Sequence, residues 1–442
     1  MKDPKRGRIS FFFVIIYLIC EYMRPQQMYS SLSGIPLAKI AIACIVIASL
    51  LEGLRFNNFN FENVLLLLFL SLIFLSCVFA VNQELAWPVF FDFVKWAVIY
   101  FLLINVINTK EKLYGVVVAY LLLHFKQVQY LVRGLVLSGF SIGKTGLYAG
   151  AGFFANPGDL GTALIMVLGI SYYMMKLDTG KLFNLVKMKW VFMAITVCTP
   201  VALLATNSRG PSLAFVFCLL GIWIKGKRKF AGIFVAVAAV AVFIVLMPNW
   251  DRFQQTGTGQ DKTGQERLQL WAAGLQMAQD HMLTGVGPDN FVYVNQEYYG
   301  SELDLVQHNT FIQALSELGY TGLFLFVMMI IGCFRNQRMV RRILKEKGTG
   351  NEFLIELSHG LDIGLIGFIV ASFFVSVLYY PFFWIFLVIS VTLIRLAKEA
   401  SLSQESNAEA AQTGSIKELD GVGVFQTDSV AENRGIYQAW KR

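Results

Sequence analysis

The feature that most constrains the fold of this chain is a series of apolar segments, each of roughly 20 residues, that recur along most of its length. An α-helix of about that length crosses the hydrocarbon core of a bilayer. Hydrophobic residues make up 56% of the 442 residues and charged residues only 15%, whereas a soluble domain carries about a quarter charged residues. The sequence therefore predicts an all-α integral membrane protein. It excludes a soluble enzyme, a disulfide-rich secreted domain and a disordered chain.

Twelve segments are candidate transmembrane helices. They are residues 9–23, 35–53, 63–80, 89–107, 113–137, 159–175, 190–206, 210–224, 230–247, 310–333, 359–379 and 381–397. Lys126 and Arg133 interrupt the fifth of them. The first follows a basic N-terminus, like a signal peptide, but no small-residue cleavage site follows it. We therefore expect the first segment to remain as a membrane anchor.

The distribution of Lys and Arg predicts the orientation in the membrane. With the N-terminus in the cytoplasm, the inner segments hold 27 of the 37 basic residues, the outer loops hold 6 and the spans hold 4. Cytoplasmic loops of membrane proteins are enriched in Lys and Arg. We therefore expect a multi-pass membrane protein with both termini in the cytoplasm. The net charge of +8 follows from this pattern, and no nucleic-acid partner is expected.

Two polar segments complete the predicted organisation. Residues 248–308 form one long outer loop, and residues 401–442 have the composition of a disordered cytoplasmic tail. The chain is thus divided into helices 1–9 (residues 1–247), the outer loop, helices 10–12 (residues 309–400) and the tail.

The outer loop is predicted to contain one amphipathic helix. Thr263 and Glu266 have the spacing of a capping box at its start. The apolar face predicted for this helix consists of Leu268, Trp271, Leu275 and Ala278. Such a helix can lie on the outer membrane–water interface. Gly285, Gly287 and Pro288 are expected to end it in a turn.

His308 and Arg209 are two candidates for chemistry on the outer side. His308 precedes the tenth span, where a neutral imidazole can accept a proton from a hydroxyl; it could equally be a polar cap on a membrane helix. Arg209 lies in a tight turn before the eighth span, whose 15 residues reach about 22 Å of a core about 30 Å thick. A recessed arginine faces a polar partner or cavity, or else extends to lipid phosphates.

Three further polar residues on or near this side are weaker candidates. Arg267 lies in the first turn of the loop helix, where it could help free backbone amides to hold an anion; it could equally be solvated or paired with Glu266. Glu317, about two turns into the tenth span, and Asp159, at the start of the sixth, could line an outer cavity. The six cysteines have no CxxC spacing, so the sequence supports neither a metal site nor a disulfide.

Residues 200–325 resemble the bacterial O-antigen ligase and polymerase family. The pattern His308-Asn309, nine residues, Gly319, two residues, Gly322 is similar to the signature of the ligases. The similarity extends to the turn Ser208-Arg209-Gly210 and to the arginine-led helix and Gly-rich turn of residues 267–288. Where the family often has Pro before the Leu-Thr-Gly turn, this chain has His281-Met282, which makes His281 a rival base.

The resemblance implies a function and a mechanism. The protein would take a glycan from undecaprenyl diphosphate at the periplasmic face and transfer it to an acceptor hydroxyl, with inversion of the anomeric centre. His308 would be the general base, and Arg209 and Arg267 would hold the diphosphate. Candidate cavity-lining residues are Asn309, Glu317, Asp159 and His281. The outer loops contain no Asp-x-Asp motif, so a metal-independent reaction without a cofactor fits.

Two readings from other classes compete with this enzyme. Twelve spans with both termini inside also suit a transporter or flippase for a polysaccharide lipid, although no duplicated halves are visible. A non-catalytic assembly subunit would tolerate alanine at Arg209 and His308. Within the enzyme reading, polymerase and ligase differ only in the acceptor, which is the growing glycan, a lipid A core or a protein. The residues give a slight preference for O-antigen or exopolysaccharide polymerisation.

Overall fold

The computed structural model describes residues 7–54, 58–141, 146–148, 152–177, 180–182, 186–226, 262–346 and 351–404. These residues are helical apart from loops and one short hairpin of strands, β1 (Lys181–Leu182) and β2 (Val186–Lys187). Eight of the described helices are long and apolar enough to cross a membrane. The chain is an all-α membrane protein, as its sequence predicts.

The α-helices in the described parts of the chain are α1 (Arg8–Tyr22), α2 (Pro25–Met28), α3 (Leu37–Leu51), α4 (Phe61–Val78), α5 (Gln83–Val106), α6 (Lys110–Leu137), α7 (Pro157–Met174), α8 (Met188–Thr206), α9 (Arg209–Lys225), α10 (Lys262–Asp280), α11 (Phe291–Glu297), α12 (Thr310–Glu346), α13 (Glu352–Ser372) and α14 (Pro381–Gln404). Two 3-10 turns cover Ser30–Leu32 and Gly152–Phe154.

Helices lie at eleven of the twelve segments predicted from hydropathy. The ninth segment, residues 230–247, lies outside the described residues, as do residues 248–261 of the predicted loop and residues 405–442 of the predicted tail.

The largest boundary difference concerns the eleventh predicted segment, 359–379, because α13 already ends at Ser372. The loop that follows α13 is as apolar as the helix, so hydropathy does not mark the helix end. Its backbone groups bond instead to α12: Thr310 Oγ1 donates to Val375 O at 2.7 Å and accepts from Val377 N at 3.2 Å. Irregular backbone within a membrane protein is stable where the protein itself satisfies it in this way.

Close packing of α7 against α13 depends on small residues. A Cβ atom on Gly169 would lie 2.5 Å from the backbone N of Gly364 and 2.6 Å from the carbonyl oxygen of Gly360. Small residues four apart let two membrane helices approach closely enough for backbone contact. This contact fixes α7 relative to α13 and to the loop that follows α13.

Helix α12 is broken at Gly319, whose φ of 70° and ψ of −174° are not helical. A side chain there would clash with the backbone carbonyl of Met282, so the position requires glycine for its space as well as its conformation. Nine residues of α12 precede the break, from Thr310 to Leu318. They form the segment that faces the candidate site.

Helix α10 confirms the amphipathic helix predicted in the outer loop, with a different inward face. The structure describes the helix from Lys262, which puts Thr263 within its first turn. Its buried residues include Leu270, Met277 and Ala278, whereas Leu268 and Leu275 are exposed. The predicted face was therefore wrong in part: the side toward α12 is centred on Gly274, where a Cβ would lie 2.5 Å from Ile312. The two exposed leucines keep the interfacial location a prediction.

Candidate active site at the predicted outer end of the helices

A cavity of about 650 Å³ lies among the ends of several helices. Its polar and charged lining residues are Glu21, Arg24, Lys39, Asp92, Lys95, Asn156, Asp159, Asp289, His308, Gln313 and Ser376, and its aromatic ones are Tyr17, Trp96, Phe153, Tyr379 and Tyr380. The volume is within the range of small-molecule sites. The lining comes from segments that the sequence places at or near the outer ends of their spans. The fold thus brings the outer residues of distant segments to one place.

His308 lies on the wall of this cavity just before α12. Its backbone has a φ of 47°, in the left-handed region that non-glycine residues rarely occupy. Such strain persists only where the surroundings fix the conformation, and it concentrates at functional sites. The residues on both sides of His308 provide that fixation.

Gln307 is fully buried and anchors the N-terminal side of His308. Its Nε2 donates to Glu317 Oε1 at 3.0 Å and to Ser316 Oγ at 3.2 Å, and its Oε1 accepts from Ser376 Oγ at 3.3 Å. Its backbone carbonyl accepts from Trp271 Nε1 at 2.9 Å. Glu317 is itself buried and belongs to this network, outside the cavity lining.

Asn309 anchors the other side of His308 as the cap of α12. Its Oδ1 accepts hydrogen bonds from the backbone amides of Phe311 at 2.9 Å and Ile312 at 3.2 Å. These are amides that a helix start leaves without a helical partner. Asn309 is 3% exposed, so the structure gives it a helix-capping contact instead of a place on the lining.

The His308 side chain is held in its neutral form. Partial burial and then the positive charge of Arg267 lower the pKa of His308 from 6.5 to about 4. Burial disfavours the charged imidazolium, and a neighbouring cation disfavours it further. At neutral pH the imidazole is therefore free of a second proton and able to accept one.

Arg267 and the turn of Arg209 meet at the ring of Phe374, in the loop between α13 and α14. The guanidinium carbon of Arg267 is 6.0 Å from the centre of that ring. A Cβ on Gly210 would lie 2.6 Å from the Cβ of Phe374, so only glycine lets the start of α9 approach it. Arg209, the first residue of α9, is thereby brought to the same loop as Arg267.

The turn that carries Arg209 is fixed by its neighbours. The backbone amide of Leu147 donates to Ala205 O at 2.8 Å, at the end of α8. Asn207 has a φ of 50°, and a Cβ on Gly161 would lie 2.5 Å from the ring of Pro211. The arginine therefore starts from a rigid backbone. Helix α9 has 17 residues, two more than the sequence predicts.

Of the two remaining predicted site residues, one lines the cavity described and the other does not. Asp159 lines the cavity at the start of α7. His281 is exposed just after the end of α10 and is not among the lining residues described for the cavity. Asp92 and Lys95, three residues apart on α5, form an ion pair on the cavity wall.

Sequence reasoning missed Arg24, Tyr379 and Tyr380 on the cavity wall and Gln307 behind it. Arg24 is one of the six basic residues in the predicted outer loops, and Tyr379 is the last residue of the predicted eleventh span. Pro381 indicates that Tyr379 and Tyr380 lie in a loop, because proline disfavours a helical conformation of the residue before it. Nothing in the sequence marked Gln307 beyond its position next to His308.

Comparison with known proteins identifies the segment that carries His308, Arg209 and Arg267. Residues 192–327 match the model of a family described as O-antigen ligase. Over this stretch, residues 192–327, the chain is similar to the O-antigen ligase family. The O-antigen ligase segment thus runs from α8 to the middle of α12 and includes both predicted arginines. Residues 7–149 match a second family, which is described as one of unknown function.

A curated relative supports the same assignment. The exopolysaccharide production protein ExoQ of Rhizobium meliloti (strain 1021) is 34% identical to this chain over 97 residues. The alignment covers 20% of this chain and 22% of the relative, so the chain matches about a fifth of that protein's length. Both comparisons show a likeness to proteins of O-antigen ligation and exopolysaccharide production.

Proposed function

We propose that this protein is a glycosyltransferase of the bacterial inner membrane. It transfers a glycan from undecaprenyl diphosphate to an acceptor hydroxyl at the periplasmic face, in polymerisation or ligation of an O-antigen or exopolysaccharide. The observation that carries the proposal is the setting of His308: a neutral imidazole beside a cationic arginine, on the wall of a polar cavity, within an O-antigen ligase segment.

His308 is the general base of the proposed reaction. It accepts the proton of the acceptor hydroxyl while that oxygen forms a bond to the anomeric carbon of the donor glycan. The bond from the anomeric carbon to the diphosphate oxygen breaks, and the diphosphate leaves with both electrons. Attack from the side opposite the leaving group inverts the anomeric centre.

Arg209 and Arg267 bind the diphosphate and neutralise the charge that develops as it leaves. A guanidinium keeps its charge at all relevant pH values, and its planar fork matches two phosphate oxygens. Placed before the reaction begins, two such groups stabilise the leaving anion without reorganisation. Their common contact region around Phe374 supports this role.

Donor binding would also improve His308 as a base. In the free protein the charge of Arg267 contributes to the low pKa of His308. A bound diphosphate offsets that positive charge, so the pKa of His308 rises toward the working pH. A general base is most effective when these two values are close. The diphosphate and the base would thus be coupled through one arginine.

The proposal includes an orientation and a domain organisation. The cavity faces the periplasm, both termini face the cytoplasm, and the periplasmic loop of residues 248–308 contributes α10 and the loop before His308. Support comes from the opposite end of the helices, where Arg341 lies 2.9 Å from Asp362 and Lys225 pairs with the same carboxylate. Both basic residues belong to segments counted as cytoplasmic from the charge pattern.

The proposed substrates are a lipid-linked glycan donor and an acceptor that is the growing glycan, a lipid A core or a protein. The relative is named as an exopolysaccharide production protein, which favours an exopolysaccharide as product and hence the growing chain as acceptor. The segment shared with that relative covers only about a fifth of the relative's length. The identity of the acceptor is therefore proposed separately from the transfer reaction.

A deletion strain tests this function, with surface and lipid-linked glycans separated by gel electrophoresis. Loss of long chains, with single repeat units remaining on the acceptor, would establish a polymerase. Long lipid-linked polymer beside an unmodified acceptor would establish a ligase. Accumulation of single repeats on the cytoplasmic leaflet would instead establish a transporter and contradict the role of His308.

A further inference from the structure

We propose that the part of the cavity built by α1, α3 and α5 is a binding subsite for the sugar units of the acceptor glycan, with Arg24 as its anchor. The inference rests on the proposed glycosyl transfer at His308. It assigns a substrate class to a part of the cavity whose residues have no role in that mechanism. The wall belongs to residues 7–149, the segment that matches a family of unknown function.

Arg24 is held on this wall by several contacts. Its backbone has a φ of 49°, and the guanidinium fills the space next to Gly152, where any Cβ would clash with it. The guanidinium carbon is 4.0 Å from the centre of the Phe153 ring, and Nη2 is 3.7 Å from Glu21 Oε1. A long side chain fixed in this way loses little conformational entropy when it binds a ligand. The position is therefore suited to recognition.

A row of aromatic rings lies beside Arg24. The ring centres of Trp96 and Phe153 are 6.3 Å apart, and those of Phe153 and Tyr380 are 5.2 Å apart. All three side chains line the cavity. A pyranose ring presents C–H groups on its faces and hydroxyls around its edge, so it packs on aromatic rings while polar groups bind the hydroxyls.

The charges of the lining suit a polyhydroxyl ligand better than an anion. The lining contains the basic residues Arg24, Lys39 and Lys95 and the acidic residues Glu21, Asp92, Asp159 and Asp289. Hydroxyls both donate and accept, so they can bond to guanidinium, ammonium and carboxylate groups alike. A diphosphate would instead meet four carboxylates.

The geometry of the transfer places the acceptor on this side. His308 lines the cavity, whereas Arg209 and Arg267 meet around Phe374 and are not among the lining residues described. An inverting displacement needs the acceptor hydroxyl and the leaving diphosphate on opposite sides of the anomeric carbon. With the diphosphate at the two arginines, the acceptor glycan occupies the cavity and extends toward Arg24.

Binding measurements on the purified full-length protein in detergent test the subsite. The probes are the repeat-unit oligosaccharide of the host strain's polysaccharide, freed of its lipid, and undecaprenyl diphosphate. We expect Arg24→Met to weaken binding of the oligosaccharide by about tenfold, the loss of a charge-assisted contact, and to leave binding of undecaprenyl diphosphate unchanged. Arg133→Met, which removes an exposed cation of α6 outside this cavity, is the control and should change neither.

A second variant guards against a folding defect at Arg24. Lys39→Met changes a residue of α3 and leaves the contacts of Arg24 with Gly152, Phe153 and Glu21 intact. We expect it to weaken oligosaccharide binding by about threefold, since an exposed ammonium contributes less than a fixed guanidinium. Unchanged binding of undecaprenyl diphosphate by both variants shows that each is folded.

Transfer kinetics distinguish the acceptor glycan from the glycan of the donor. With the oligosaccharide as acceptor, Arg24→Met should raise the KM for the oligosaccharide and leave the KM for the lipid-linked donor unchanged. A raised donor KM, or unaltered oligosaccharide binding in both cavity variants, overturns the proposal. If His308→Ala retains transfer while oligosaccharide binding still depends on Arg24, the mechanism fails and the subsite stands.

Discussion

The backbone amide of Val286 donates a hydrogen bond of 2.9 Å to the carbonyl oxygen of Ser316. In an unbroken helix that carbonyl would accept from Tyr320, four residues later. Here the Tyr320 amide donates instead to Met282 O at 2.9 Å, because α12 breaks at Gly319. The glycine-rich turn after α10 thus provides the hydrogen-bond partners for the α12 backbone groups that the break leaves without a helical partner. This exchange connects the Gly-rich turn of residues 267–288 with the segment that begins at His308, and it supports the short helix that follows His308.

Gly319→Ala should destabilise the protein more than Gly300→Ala. Both glycines have positive φ, 70° and 63°, so alanine strains either backbone, by about 1–3 kcal/mol. A Cβ at position 300 meets open space, whereas one at position 319 clashes with the carbonyl of Met282. Thermal unfolding of both variants in detergent measures the difference. Equal losses at the two sites would show that the contact with Met282 contributes nothing.

His308→Ala should abolish transfer and leave membrane insertion intact. Removing a general base costs on the order of 10²- to 10⁴-fold in rate. The matched control is His281→Ala, since His281 is exposed at the end of α10 and does not line the cavity described. Transfer of a labelled glycan in membrane vesicles, normalised to protein amount, gives the rates. Full activity of His308→Ala would show that His308 is not the general base. Loss of activity in His281→Ala would instead indicate His281 as the base.

Arg209→Lys should be severely impaired although it keeps the positive charge. A lysine offers a point charge, whereas the arginine fork contacts two phosphate oxygens at once. We expect a loss of about tenfold or more in kcat/KM for the lipid-linked donor. Arg133→Lys, on α6 outside the cavity, is the control. If lysine at position 209 supports the native rate, the site needs only a positive charge.

The pH dependence should differ between the free protein and the donor complex. His308 is active in its neutral form, and its folded pKa of about 4 lies below 6.5, so kcat/KM should fall only as the pH drops through about 4. The acidic limb of kcat should lie at higher pH, because bound diphosphate raises the pKa of His308.

Arg267 variants check the origin of that difference. Arg267→Met removes the nearby cation and should shift the acidic limb of the kcat/KM profile to higher pH. Arg267→Lys keeps the positive charge and should leave that limb near its native pH. The shape of each profile is compared after normalisation to its own maximum, since both variants lose activity. If the acidic limb of kcat/KM lies at the same pH in the native protein and in Arg267→Met, Arg267 has no electrostatic effect on His308.

Much of the architecture was predictable because a bilayer admits few structures. Hydropathy located eleven helices of the described chain, and the spacing of His308, Gly319 and Gly322 indicated the family segment that the comparisons support. Helix ends were less predictable where the chain stays apolar beyond the helix. The loop after α13 was assigned to a span for this reason, and with it Tyr379 and Tyr380 were overlooked.

The sequence alone determined an all-α membrane chain, its family segment and the residue types suited to glycosyl transfer, because these follow from composition, periodicity and local motifs. Only the tertiary structure decided which of these residues share a surface. His308, Asp159 and Arg24 line one cavity, whereas Asn309 and Glu317 serve to fix the backbone on either side of His308. Such neighbours are set by helix packing and by the break at Gly319, which bring together residues more than a hundred positions apart.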